Sequence, residues 1–413
     1  MNKIRLKRVF MVLMFVLFAY LWAIRLKLPA PPPKPPVPKT AIIHIKPVSF
    51  DALPGWDASD SRTSLSTFQT SCRVFLRQAP DKDVGSKHVP LKAKDWWPAC
   101  RAALKLSNPT QAEAQAFFEG WFQPAMLVDN KPLEGMFTGY YVPIHQGSLK
   151  KTAQYNVPIY GLPSNWVRFR LKDFDPDLPD RKIVGRIEGH SIVPFHTRAA
   201  INQGAISKVA PVLVWLDSEV DRLFLEIQGS GFIKLPDGSN MFIGYAGENG
   251  AAYSSIASVL IARGVMTRDT ASMQKIKAYF EEHPEQMQEV IEHNKSFVFF
   301  SKQKKAMAMG AQGVYLTPGY SMAVDRAWIP LGMPLWLNTT KPVEDLTVAE
   351  SEPFNRLFIA QDTGGAIRGP IRGDVFWGAG KKAGQIAGRM RNKGVYWLFL
   401  PRQEEKKVQF KTF

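Results

Sequence analysis

Metal-ligating residues are scarce in this chain. Two cysteines and seven histidines are spread over 413 residues, with no CxxC pair and no HExxH run, which argues against a structural or catalytic zinc. Cys72 and Cys100 are either one disulfide, which an extracytoplasmic compartment permits, or two buried thiols. Acids are also few: 36 Asp and Glu stand against 53 Lys and Arg, a formal charge of +17. Such an excess suits an anionic partner. No RNA-binding aromatic signature, zinc finger or arginine-rich arm accompanies it, so nucleic acid is not the partner expected. No repeat period is visible, which excludes solenoids and propellers. A G-x-S-x-G nucleophile elbow is missing too, since the order around Ser230 is Gln228-Gly229-Ser230-Gly231. Two S-x-x-K spacings, Ser148 to Lys151 and Ser301 to Lys304, lack a KTG and are what a lysine-rich chain produces by chance. His190 and His196 read as surface or satisfied core histidines rather than ligands.

What is present begins with an address. MNKIRLKR is basic and residues 9–24 then run uncharged, the shape of a signal sequence. That run is slightly shorter than the roughly 17–25 residues of a membrane span. Arg25 and Lys27 follow at once with no clean small-x-small site, which favours a short anchor, so residues 1–28 are taken as a signal-anchor or signal peptide. No cysteine lies in or just after this stretch, which excludes a lipid-modified N-terminal cysteine. Residues 29–44 form a Pro-rich linker, extended and without a core, and residues 403–413 a basic tail. An exported basic chain would meet anionic lipid headgroups or an anionic wall polymer.

The body reads as mainly β with a few helices. TQAEAQAFFEGWF (110–122) has a Thr cap and helical apolar spacing. Short β-branched and aromatic runs follow at 136–147, 184–196 and 210–247, with Asp237-Gly238 as a hairpin turn. Ile256, Val259, Leu260 and Ile261 then fall at helical spacing before Gly264, and two helical segments flank Pro284. From 313 to 401 strands and turns return, so two β-rich units are expected. Asp362 and Asp374 stand in AQDTGGAIRGPIRGDVFWG (360–378) among glycines and arginines. Asp and Gly together also make turns. Chemistry at a glycosidic bond uses carboxyl groups beside sugar-stacking aromatics, and here Phe376 and Trp377 follow Asp374. These features alone leave turn acids and a polysaccharide enzyme both open.

Five blocks in order decide more. FTGYY (137–141), LEIQGSG (225–231), FIGYAGENGAAYSSI (242–256), LTPGYSMAVDRAWIPLG (316–332) and AQDTGGAIRGPIRGDVFWGAG (360–380) resemble the membrane-bound lytic murein transglycosylase A family over residues 130–402. The last part resembles its 3D region, whose three aspartates match Asp325, Asp362 and Asp374. The resemblance implies a double-psi β-barrel with an inserted smaller β-domain and a glycan groove between them: 45–137 and 250–402 for the barrel and a helical connection, 138–249 for the insert. It implies non-hydrolytic cleavage between N-acetylmuramic acid and N-acetylglucosamine, with Asp374 as general acid and base and Asp362 and Asp325 in support. Thr138, Tyr140, Gln228, Ser230, Gly231, Gly364 and Trp377 would line the groove. No cofactor or metal is implied. Expected partners are peptidoglycan strands, the membrane through the N-terminal segment, and cell-wall synthesis or division complexes. The expected place is the periplasm, anchored at the inner membrane by residues 9–24 or released by cleavage. The absent acylated cysteine departs from outer-membrane relatives. A hydrolytic muramidase and a non-catalytic wall-binding protein are the alternatives.

Overall fold

The computed structural model describes residues 43–129, 131–267, 270–343 and 350–402. The leader, most of the linker and the basic tail lie outside them. Among the described residues, no helix is long and apolar enough to cross a membrane.

Six strands close on themselves. In spatial order they are Arg391–Pro401, Pro334–Pro342, Ser351–Asp362, Ser321–Val324, Arg372–Ala379 and Gly135–Val142, and the last pairs back onto the first. Ser321–Val324 runs parallel to Ser351–Asp362, and Arg372–Ala379 parallel to Gly135–Val142; the other neighbours are antiparallel. This is the barrel expected. Alternation fills its interior with Met322, Val324, Leu335, Leu337, Val375 and Leu398, all buried.

Three helices that no sequence block marked or only one did cover one side. Gln111–Trp121 is the expected helix, with Thr110 and Glu113 forming a capping box. Arg62–Phe75 and Ala93–Lys105 were not anticipated. Leu65, Phe68, Cys72 and Phe75 recur at three- and four-residue steps and place one apolar stripe against Trp96, which stacks on Phe75 at 4.7 Å. Cys72 and Cys100 are disulfide-bonded, tying these two helices together. Replacing both by alanine is expected to cost about 2–4 kcal/mol, because the crosslink restricts the unfolded chain. The check is the urea denaturation midpoint, and an unchanged midpoint would mean that helix packing alone holds the pair.

The chain leaves the barrel after Val142 and builds a second body before returning at Ser321. Six strands there run in the order Val298–Lys302, Asn240–Glu248, Ser230–Lys234, Ile144–Ser148, Val212–Leu216, Val157–Tyr160, with a separate meander of Trp166–Arg170, Lys182–Glu188 and Ser191–Pro194. The pairing moves both expected junctions. Residues 138–142 stay in the barrel sheet, and Val298–Lys302 pairs with Asn240–Glu248, so the second body extends past 249. The helices Ile256–Ala262, Met273–Glu282 and Pro284–Glu292 belong to it, since Leu260, Ile276, Phe280 and Val290 pack on Val220, Leu223 and Phe224. Those last three lie on the helix Glu219–Gln228, read from sequence as strand; Ser218 caps it, and its apolar residues fall at a helical period. A shared apolar cluster joins the two bodies: Val142 and Phe376 from the barrel meet Phe242 and Phe232 from the insert, with Tyr140 against them.

Candidate active site

The site begins as a line of four residues across four strands. Asp362 is opposite Ala323, Ala323 opposite Asp374, and Asp374 opposite Thr138. Because Gly373 and Val375 are buried within the barrel wall, alternation turns Asp374 outward. Gly373 has no room for a side chain, since a Cβ there would lie 2.4 Å from the Met322 sulfur.

Asp374 is half-buried. Its Oδ1 accepts the Thr138 hydroxyl at 2.5 Å. The Thr138 oxygen in turn accepts from Arg372 Nη2 at 2.9 Å. A guanidinium can only donate, so the single hydroxyl hydrogen of Thr138 is left to point at Asp374. Burial raises the Asp374 pKa above the usual carboxylate range, against the downward pulls of the Thr138 hydrogen bond and the Arg372 charge. Burial lowers the pKa of Arg372 itself.

Asp362 is held differently. Tyr140 donates its hydroxyl to Oδ2 at 2.8 Å, and the backbone N–H groups of Ala311 and Thr363 both donate to Oδ1 at 2.9 Å. Burial nevertheless pushes its pKa up to about 6, and the charge of Asp374 adds to the rise. The Tyr140 hydroxyl is raised well above its ordinary value by burial and by Asp362. Its ring lies 5.2 Å from that of Phe376, which fixes the phenol across the strands.

The other expected positions divide. Asp325 is 6% exposed and serves turns: its carboxylate takes the N–H of Ala327 at 3.0 Å and of Gly369 at 2.8 Å, which ties down the loop between the two other aspartates. Gly364 closes a turn in that loop, accepting from Ile367 N–H. Trp377 stands on the strand face opposite Asp374, with its ring 5.5 Å from Phe354. Gln228 ends its helix by accepting the Tyr141 N–H at 3.0 Å, a link from the insert to the strand carrying Thr138 and Tyr140. Ser230 pairs with Gly244, and a side chain at Gly231 would meet Leu225 at 2.5 Å. Thr138, Tyr140, Asp362 and Asp374 thus come together, whereas Asp325 and Trp377 do not join them.

Sequence reasoning missed Arg372, although its position two residues before Asp374 in a strand puts both on one face. It also missed Tyr253, which lies against Gly365 in the aspartate loop. Among the described residues, no group of three or more His, Cys, Asp and Glu could hold a metal ion.

The MltA specific insert domain matches residues 136–301, and the 3D domain matches residues 320–400. The crystal structure of a membrane-bound lytic murein transglycosylase from Agrobacterium tumefaciens is 30% identical, with a TM-score of 0.77 over 87% of this chain and 98% of that one. The chain belongs to the MltA family. Escherichia coli K12 membrane-bound lytic murein transglycosylase A is 36% identical over 63% of this chain and 64% of its own length. The chain thus matches somewhat under two thirds of that MltA relative. Escherichia coli MltA with bound chitohexaose is 28% identical, with a TM-score of 0.62 over 87% of this chain and 95% of that one. The 3D match contains Asp325, Asp362 and Asp374, and the insert match contains Thr138 and Tyr140.

Proposed function

We propose that this protein is a peptidoglycan lytic transglycosylase of the cell envelope. It cleaves the β-1,4 bond between N-acetylmuramic acid and N-acetylglucosamine and leaves a 1,6-anhydromuramyl end. The observation that carries the reading is Asp374, a carboxyl whose pKa burial raises, in a chain of the MltA family. The glycan bound by the Escherichia coli relative supports a sugar strand as the occupant of the groove.

The protonation geometry gives the acid a direction. Thr138 donates to Oδ1, so the acidic proton belongs on Oδ2, free to meet the glycosidic oxygen. As that proton moves to the departing O4, the C1–O4 bond breaks and positive charge develops at the muramyl C1. The carboxylate left behind keeps the Thr138 hydrogen bond, backed by Arg372, which stabilises the charge it has just acquired. The sugar's own O6 then bonds to C1, and its hydrogen passes to Asp374, restoring the acid. No water is consumed, and the attack within one sugar gains from proximity. Asp362, already accepting three hydrogen bonds, acts as a fixed negative or shared-proton neighbour rather than as the donor. Asp325 supports the site only through the loop it ties.

Mass spectrometry of fragments released from purified sacculi tests the proposal. Products one water lighter than hydrolytic ones are expected. Reducing-end fragments would make the protein a muramidase, and binding without release a wall-binding protein. Anchoring at the periplasmic face through residues 9–24, and association with wall-synthesis or division complexes, belong to the same reading. Fractionation of cells with and without those residues checks the anchor.

Thr138→Val removes the hydroxyl that favours ionised Asp374, so the acid should keep its proton to higher pH. The alkaline limb of the pH–rate profile is then expected to move up by about one unit. A limb that stays in place would mean that Thr138 does not set the acid's protonation.

A further inference from the structure

The line of residues through Asp374 does not end at Thr138. The next strand, Arg391–Pro401, runs antiparallel to Gly135–Val142 and sets Arg391 opposite Thr138. Paired residues share one face of a sheet, so Asp374, Thr138 and Arg391 stand side by side on the outside of the barrel. Alternation along the strand agrees: Tyr396, an odd step from Arg391, is buried inside with its ring 5.8 Å from Phe137, and Arg391 is exposed. Neighbouring strands lie about 5 Å apart, which puts the base of the Arg391 side chain about 10 Å from that of Asp374. An arginine side chain can cover much of that gap. The adjoining row on the same face is Arg372, Met136 and Lys393. Lys393 is also exposed, but its Nζ lies 3.3 Å from Glu134 Oε2, so an acid offsets its charge.

Muramic acid differs from N-acetylglucosamine by a lactyl group on O3. The carboxyl of that group is an anion when free and an amide carbonyl when it bears a peptide, and a guanidinium donates to either. A muramyl unit with its C1 at Asp374 carries this group on the same ring.

We propose that Arg391 reads the lactyl group and so sets which sugar presents its C1 to Asp374. The proposal rests on the peptidoglycan reading above. It gives a physical reason for cutting only one of the two linkages in an alternating strand. Sliding the strand by one sugar puts a neutral N-acetylglucosamine against the arginine, and the contact is lost. Specificity is then a difference in affinity between two registers of one strand.

The test is calorimetric titration of the full-length Asp374→Asn protein, in which cleavage is slowed, with two hexasaccharides. One is chitohexaose, and the other alternates N-acetylglucosamine and N-acetylmuramic acid and has been freed of peptide by an amidase. The alternating sugar should bind about tenfold more tightly, the lower end of what a hydrogen bond to a charged group contributes. Adding Arg391→Ala should remove that preference. Adding Arg391→Lys should keep part of it, since the charge stays while the planar fork is lost. Lys393→Ala removes one positive charge from the same face and should leave the preference in place. Chitohexaose binding shows that each variant is folded. Equal affinities before Arg391 is changed, or a preference that survives Arg391→Ala, would overturn the proposal. So would an equal loss in Lys393→Ala, which would mean diffuse attraction. A preference that depends on Arg391, with no fragments released from sacculi by the unaltered protein, would keep the proposal and remove the catalytic reading alone.

Discussion

Asp374→Asn is expected to leave a folded protein whose release of anhydro products falls about a thousandfold, within the range that general acid catalysis contributes. The amide keeps the size of the carboxyl, and its oxygen can still accept the Thr138 hydroxyl. What disappears is the acidic proton on the groove side and the base that later takes the O6 hydrogen. Stability should move the other way. A carboxyl whose folded pKa is raised contributes most below its unfolded pKa, and that contribution is lost as pH rises through the folded value. For Asp374 the rise comes first from burial, so near neutral pH the carboxylate is the costly form. The asparagine variant should therefore be at least as stable as the parent at pH 7, with a flatter dependence on pH above 4. Thermal denaturation across pH, beside product analysis by mass spectrometry, reads both quantities. Residual cleavage within tenfold of the parent would remove Asp374 from the chemistry.

How much of this could be read from the chain depends on the range of each interaction. Gly238 at φ +82°, Gly264 at φ +75° and Pro284 opening a helix act on their immediate neighbours, and their signals were plain. The helix Glu219–Gln228 was not. Its apolar residues follow directly on those of strand Val212–Leu216, and the run reads as one β stretch unless Ser218 is taken as a cap. The barrel is less local still. Thr138 and Asp374 touch across 236 residues, in a parallel pairing that no local pattern specifies. Only the resemblance brought these residues together in advance. Trp377 shows an error that strand geometry could have prevented: three residues from Asp374, an odd step, it faces the other way. Arg372, an even step away, faces the same way and completes the arrangement at Asp374.

Glu226→Gln is expected to destabilise the insert by about 3–5 kcal/mol, the cost of breaking a buried ion pair from one side. Two guanidiniums share this carboxylate. Arg198 donates to both of its oxygens, and Arg222 Nε lies 3.7 Å from Oε1. The side chains of Arg198, Arg222 and Glu226 are 1%, 4% and 2% exposed, so water cannot replace what the substitution removes. Arg198 also holds the carbonyls of Asn294 and Ser296, and both guanidiniums lie over the Phe297 ring, at 5.1 and 5.5 Å. The carbonyls satisfy donors of Arg198, but they cannot neutralise two buried positive charges. Glu219, the other acid near Arg222, is 32% exposed and 3.6 Å away, so Glu219→Gln should cost under about 1 kcal/mol and serves as the control. The effect should reach the groove. Glu226 lies on the helix whose last residue, Gln228, holds the Tyr141 N–H, and that strand carries Tyr140 and Thr138. Loss of the insert's fold would therefore lower activity together with stability, whereas Asp374→Asn separates the two. Urea denaturation of the Glu226→Gln protein measures the cost. A loss no larger than the control's would mean that the two arginines are stabilised by their carbonyl and ring contacts without the carboxylate.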